Sequence, residues 1–234
     1  MGANYNTKIV TSDLVSIYDF KNDRCYDGSS ATAYNLLDRS DKTATFVNAT
    51  GNGDYVTFDD SVSASLLNID NPYVADTTSG FSIGMWIKIP VVQPQPGSGG
   101  WNYFLRHWYG TNVYEIGNYG ANGGGSWQIK DNGLNYNVQL DFDYSTHWTY
   151  LVIGFENNYP FIWAQNQGYD SRQEANGGAQ YNPATAWGLT GFFGNFSQTG
   201  LKCDLASMQI YSRKITRDEF DINYNAYRSR YGEY

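Results

Sequence analysis

Charged residues make up only 16% of the 234-residue chain, fewer than its 17% of aromatics, and the basic ones gather in no stripe. With a formal net charge of −8 and no basic face, the chain repels phosphate backbones and anionic bilayers, which argues against nucleic acid and membrane surfaces as partners. Long apolar runs are missing too: there is no stretch of about 18 apolar residues, so no membrane insertion is expected. The opening MGANYNTKIV lacks the apolar core of a leader peptide, and no secretion signal is expected. Neither heptads nor internal repeats occur, which excludes the coiled-coil or β-helical shaft that a long fibre needs. Histidine is confined to His107 and His147, each followed by Trp, and neither falls in a metal-ligand pair or a triad pattern. Cysteine is confined to Cys25 and Cys203.

What is abundant is tyrosine and glycine, 21 and 25 residues, a balance that favours strands joined by tight polar turns. The length suits one sandwich that buries about 70–75% of its unfolded surface. The expected organisation is an N-terminal arm, 1–10, followed by a single domain, 11–234. FSIGMWIKIP sets Phe81, Ile83, Met85, Ile87 and Ile89 on one face and stops at Pro90, the mark of a core strand. HWTYLVIGFENNYPFIWAQNQGY reads as a β-hairpin turning at Asn157-Asn158-Tyr159-Pro160, with a second turn from Gln165 to Gly168. Further strands are expected at Leu14–Phe20, Thr45–Val47, Tyr55–Phe58, Asn102–His107, Val113–Ile116, Trp127–Lys130, Asn137–Phe142, Leu189–Phe193 and Leu205–Tyr211. QPQPGSGG and YGANGGGSW are too short for domain linkers and read as loops.

One helix breaks the pattern, at 216–230. Thr216 stands three residues before Glu219, the capping-box spacing, and Ile215 is placed to staple against Phe220. Asp218 and Glu219 complement the positive end of the helix dipole, Arg228 and Arg230 the negative end, and Gly232 can close it. Phe220, Tyr224 and Tyr227 form one narrow aromatic stripe that needs a surface to lie on.

The order of these segments resembles a known family. KIVTSDLVSIYDFKNDRCYDGSSATAYNLLDRSDKTATFVN looks like the opening of concanavalin A-like, laminin-G-type jelly rolls of bacteriophage particle proteins. Asp19, Asn22, Tyr26 with Gly28, and Leu37-Asp38 with Ser40 hold that family's motif positions, and Tyr34 stands where the family often has Trp. GDYVTFDDS, FSIGMWIKI and THWTYLVIGFENNYPFIWAQNQ resemble its next strands. The closing MQIYSRKITRDEFDINYNAYRSRYG is the most specific match, while about 91–135 and 168–187 depart from the pattern. The resemblance implies an all-β concanavalin A-like jelly-roll β-sandwich of two antiparallel sheets with one C-terminal α-helix sealing the open end of the sandwich. It also implies first and last strands side by side. If Tyr18 faces Ile210, Cys25 and Cys203 become neighbours, so both a free pair, the default in a reducing cytoplasm, and a bond closing nearly the whole chain stay open.

Function is weaker in the sequence than fold, because sandwiches host lectins, glycosidases and inert virion parts alike. A glycosidase needs two carboxylates about 5–10 Å apart. Asp141 and Asp143 share a face with no Glu at the next step, and Glu115 and Glu156 stand alone, so no enzyme is expected and no catalytic residue is assigned. No cofactor is expected. Calcium is a candidate, as in laminin-G-type relatives, at the loop from Asp59 or the one ending at Asp143, and solvated turn carboxylates are the competing reading. Sugars stack C–H faces on aromatic rings and hydrogen-bond to amides and acids. Trp101, Arg106, Trp108, Tyr109, Asn118, Tyr119 and Trp127 form the cluster with that chemistry, although strand alternation must send about half of its rings into the core. The expected protein is a non-enzymatic virion component, assembled in the host cytoplasm, surface-exposed as a capsid decoration or tail-associated part. Its expected partners are other virion proteins, copies of itself and host-surface glycans. The alternatives are a dedicated carbohydrate-binding adhesin and, third, a glycoside hydrolase.

Overall fold

In chain order the strands are β1 (Leu14–Asp19), β2 (Thr32–Ala33), β3 (Ala44–Val47), β4 (Ala49–Gly51), β5 (Val56–Phe58), β6 (Leu66–Ile69), β7 (Val74–Asp76), β8 (Phe81–Lys88) and β9 (Trp101–Tyr109). They continue as β10 (Asn112–Tyr119), β11 (Ser126–Asp131), β12 (Leu134–Asp141), β13 (Thr149–Glu156), β14 (Tyr159–Asn166), β15 (Tyr169–Glu174), β16 (Ala186–Gly188), β17 (Gly191–Phe192) and β18 (Cys203–Tyr211). Helix α1 (Arg217–Tyr227) and a 3-10 turn (Arg228–Arg230) close the chain. The computed structural model describes residues 9–58, 66–89, 101–109, 112–119, 126–131, 134–141, 147–174, 186–189, 191–193 and 201–231. Among these no helix is long and apolar enough to cross a membrane.

The strands form two 8-stranded sheets and a small β7–β16 pair. Sheet A runs β15-β14-β13-β8-β18-β5-β4 with β1 also on β18, and sheet B runs β12-β11-β10-β9-β17-β6-β3-β2. All pairings among the described strands are antiparallel. This is the expected all-β sandwich of two antiparallel sheets. Its core lies between the sheets, where Ile83, Met85, Ile87, Leu151, Ile153, Met208 and Ile210 of sheet A meet an apolar row across sheet B. Phe46, Leu67, Phe192, Leu105, Ile116 and Ile129 stand in successive register in that row, and all are buried. Phe58 and Phe193 stack across the gap with centroids 4.4 Å apart.

The helix is where expected in sequence but not in space. Rather than sealing an open end, α1 lies on the far face of sheet A, where Phe220, Tyr224 and Tyr227 join Trp86, Tyr150, Val152, Phe161, Trp163, Ala206 and Tyr211 in a second apolar layer. Trp86 stacks on Tyr224 at 5.5 Å, and Tyr150 meets Phe220 at 5.0 Å. A helix stripe this aromatic needs a flat apolar floor, and the off-face positions of the central strands supply it. Hence β8 is buried on both faces, Ser82, Gly84 and Trp86 included. Gly84 is required there, since a Cβ would come within 2.7 Å of the Tyr150 hydroxyl. The buried Asn223 amide donates to the Tyr211 hydroxyl (3.0 Å) and accepts from the Val10 N–H (2.9 Å), while Tyr211 donates to the Val10 carbonyl (3.1 Å). Ile9 and Val10 thus pack on the chain's own helix layer.

The capping box forms, with the Thr216 hydroxyl accepting from Glu219 N–H (3.2 Å) and the Glu219 carboxylate from Thr216 N–H (2.8 Å). Gly232 lies outside the described residues. The hairpin turns on Asn157 and Asn158 alone, both with positive φ (51° and 66°), the backbone that a two-residue loop between twisted strands requires. Tyr159 and Pro160 already belong to β14. First and last strands pair, but Tyr18 faces Met208 and Ser16 faces Ile210 after a bulge between Leu14 and Ser16. A shift by two positions preserves which side chains face inward, so the core tolerates it. Cys25 and Cys203 are both free and buried, with no bond between them. Cys25 sulfur accepts from Asp19 N–H at 3.3 Å, and Cys203 pairs in register with Phe58 on β5. Burial pushes the Cys25 thiol up to about 12 and the Cys203 thiol well above its ordinary value, which keeps both protonated.

Candidate functional site

The backbones of Trp101, Arg106, Trp108, Tyr109, Asn118, Tyr119 and Trp127 are brought together on β9, β10 and β11, while their side chains lie outside the described residues. Register sorts them. Asn118 stands opposite Trp127 on one side and Asn102 on the other, and Tyr119 stands opposite Trp101. Arg106 is opposite Glu115, Trp108 opposite Val113 and Tyr109 opposite Asn112. Ile116 is buried in the row between the sheets, so counting by twos from it separates the cluster. Asn118, Trp127 and Tyr109 fall in the set of Ile116; Trp101, Arg106, Trp108 and Tyr119 fall in the alternate set. That alternate set belongs to the far side of sheet B. At β3 this far side meets solvent, because Phe46 is buried and its neighbour Val47 is 40% exposed. Among the described residues only sheet A has a helix packed on its far face.

A second place with binding chemistry escaped the sequence reading. Between the turn at 22–30 and the segment at 34–39 lies a cleft of about 240 Å³, lined by Asp23, Cys25, Asp27, Ser30, Thr32, Tyr34 and Arg39. Tyr34 is 37% exposed, and the Arg39 guanidinium carbon sits 4.4 Å from its ring centroid. The signal for it was the aromatic in SSATAYNLLDRS, a Tyr among turn residues.

For catalysis the described residues offer little. Glu156, at the end of β13, forms an ion pair with Lys214 at 3.3 Å, and Lys214 also pairs with Glu174 at 3.0 Å. These contacts tie the helix approach to the sheet edge. Among the described residues no three His, Cys, Asp or Glu side chains converge on a metal-sized site. The candidate calcium loop from Asp59 lies outside the described residues, as do Asp143 of the second loop and the side chains of Glu115, Asp141 and His107.

No protein-family model matches the chain, and no curated protein matches it in sequence. Solved structures do resemble it in shape. Trypanosoma rangeli sialidase in complex with sialic acid superposes over 94% of this chain at 10% identity and a TM-score of 0.60. The chain covers only about a third of the sialidase, 34% of its length. Domain 4 of AbnA, an extracellular arabinanase from Geobacillus stearothermophilus, in complex with arabinotriose, matches over 90% of this chain and 98% of its own, at 12% identity and a TM-score of 0.57. The receptor-binding domain of botulinum neurotoxin C/D mosaic serotype matches over 93% of this chain and 51% of its own, at 12% identity and a TM-score of 0.57. At such identities the likeness speaks for fold alone, and it agrees with what the strands show: an antiparallel, two-sheet β-sandwich with one C-terminal helix.

Proposed function

We propose that this chain is a non-catalytic glycan-recognition sandwich displayed on a bacteriophage particle, reading host-surface sugars with the far face of sheet B. The observation that carries the proposal is the register of β9 and β10, which sets Trp101 opposite Tyr119 and puts both in the same alternate set as Arg106 and Trp108. Aromatics and a guanidinium on one sheet face suit the apolar faces and hydroxyls of a sugar. Over the central strands of sheet A the corresponding face is occupied by α1. Two structural neighbours support the reading by analogy of fold, one a domain holding arabinotriose and one a receptor-binding domain. The particle setting rests on the resemblance of the closing segment to phage virion proteins, and in that setting other virion proteins are its partners.

The test is a glycan array probed with the full chain and with Trp101→Ala, Trp108→Ala and Trp127→Ala. The parent binds a restricted set of glycans. Trp101→Ala and Trp108→Ala weaken that binding by about 1–3 kcal/mol, on the scale known for aromatic stacking on nucleobases, whereas Trp127→Ala, in the core set, lowers thermal stability. A parent that binds no glycan overturns recognition, and sugar release from the array hits overturns the non-catalytic reading. Absence of the chain from purified particles, read by mass spectrometry, overturns the setting.

A further inference from the structure

We infer that the cleft between the turn at 22–30 and the segment at 34–39 is a second binding site, one that takes a single neutral sugar residue. The inference rests on the glycan reading above but uses none of the same residues. Size comes first. At about 30 Å³ per liquid water, a cleft of about 240 Å³ has room for roughly eight waters, below the ≈300–1,000 Å³ of sites for drug-sized ligands. That volume is on the scale of one sugar residue.

The lining has the donors and acceptors that a ring of hydroxyls needs. Arg39 stacks its flat guanidinium on Tyr34, an arrangement that uses the face of the group while its N–H donors lie in its plane. Asp27 accepts from Ser29 N–H (2.9 Å) and Ser30 N–H (2.7 Å) through one carboxylate oxygen, Oδ1. Those backbone donors hold its carboxyl below the ordinary range, so at neutral pH it is an acceptor with Oδ2 still to offer. Asp23 adds a second carboxylate. A sugar hydroxyl both donates and accepts, so vicinal hydroxyls can donate to the carboxylates while accepting from the guanidinium. With two carboxylates against one guanidinium, an anionic sugar is repelled.

The walls are fixed before any ligand arrives. Tyr34 N–H donates to the Cys25 carbonyl (2.8 Å), and Cys25 N–H to the Asn22 carbonyl (2.7 Å). Buried Asn35 accepts from Ile17 N–H (3.1 Å) and Leu37 N–H (3.2 Å), lacing the Tyr34 side of the cleft to β1. Little ordering remains to oppose binding.

The experiment is a two-dimensional amide NMR titration of the full chain with the methyl glycosides of glucose, galactose and mannose and, separately, with N-acetylneuraminic acid. At least one neutral glycoside shifts amides between Asp23 and Arg39 saturably, and the acidic sugar does not. Arg39→Ala, at an exposed position and therefore folded, raises the Kd of that glycoside about tenfold and leaves array binding through sheet B intact. Shifts confined to β9–β11 overturn the cleft and leave the sheet B reading standing. Absence of shifts with every sugar overturns the cleft, and the array then decides the broader reading independently. Tighter binding of the acidic sugar, or unchanged affinity in Arg39→Ala, overturns the assignment as well.

Discussion

Asp19 carries a structural role that its position only half announces. It ends β1 at the place where the resembling family carries Asp, and its carboxylate is gripped by Arg230 through two bonds, Nη1 to Oδ2 at 2.8 Å and Nη2 to Oδ1 at 2.9 Å. The pair is nearly dry, with side chains 5% and 13% exposed. Arg230 was expected to complement the C-terminal end of the helix dipole, a contribution of a few tenths of a kcal/mol; spanning to β1, it instead locks the end of the chain to its first strand. Breaking one partner of such a pair strands a buried charge, at a cost of about 3–5 kcal/mol, whereas removing both costs less. Urea unfolding of Asp19→Asn, Arg230→Met and the double variant is therefore expected to show each single variant destabilised by about 3 kcal/mol or more and the double by less than their sum. Single losses below about 1 kcal/mol would mean the pair is solvated.

At the scale of elements, legibility followed how local the causes were. The capping box needs only Thr216 and Glu219 three positions apart along one chain, and it was readable. Strands β8, β13, β14 and β18 carry their own apolar content, and so did their signals. Strand β15, YDSRQE, has no apolar alternation; it exists because β14 offers it an edge, and β2, β4, β7 and β16 are likewise two or three residues held by pairing. The alternation template also gave β8 one dry face, missing the second that only the distant helix dries, although Trp86 beside Gly84 was its trace. For the aromatic cluster, residue types were legible but faces were not, since register depends on the bulge at Ile116/Gly117 and on strand partners. The cap makes a testable pH statement. Arg213, hydrogen-bonded to Glu219, holds that carboxyl below its ordinary range, so its contribution is complete above the unfolded value of about 4.3 and is lost as pH falls through the lower folded value. Thr216→Ala is expected to cost about 1 kcal/mol at pH 7. Glu219→Gln is expected to flatten the fall in stability of the parent between about pH 5 and pH 3; equal falls in parent and variant, by denaturant titration, would remove Glu219 from the account.

For the whole molecule, the decisive asymmetry is between two sheets of one sandwich. Both share the inner core, but sheet A uses its far side to seat α1, and Trp86, Tyr150 and Trp163 are consumed in that packing. These sheet A aromatics are therefore structural, and the proposed recognition surface falls to the alternate set of sheet B. The N-terminal segment reinforces the division, because Ile9 and Val10 are drawn to the helix layer and Arg213 ties Asp13 (2.8 Å) and Glu219 (2.7 Å) into the same corner. The most direct measurement is a crystal structure of the full chain with the oligosaccharide selected by the glycan array. The account predicts sugar density over β9–β11 on the far side of sheet B, with Trp101 and Tyr119 against the sugar rings; an oligosaccharide seated on the helix-covered side of sheet A, or rings of Trp101 and Tyr119 turned into the core, would contradict it.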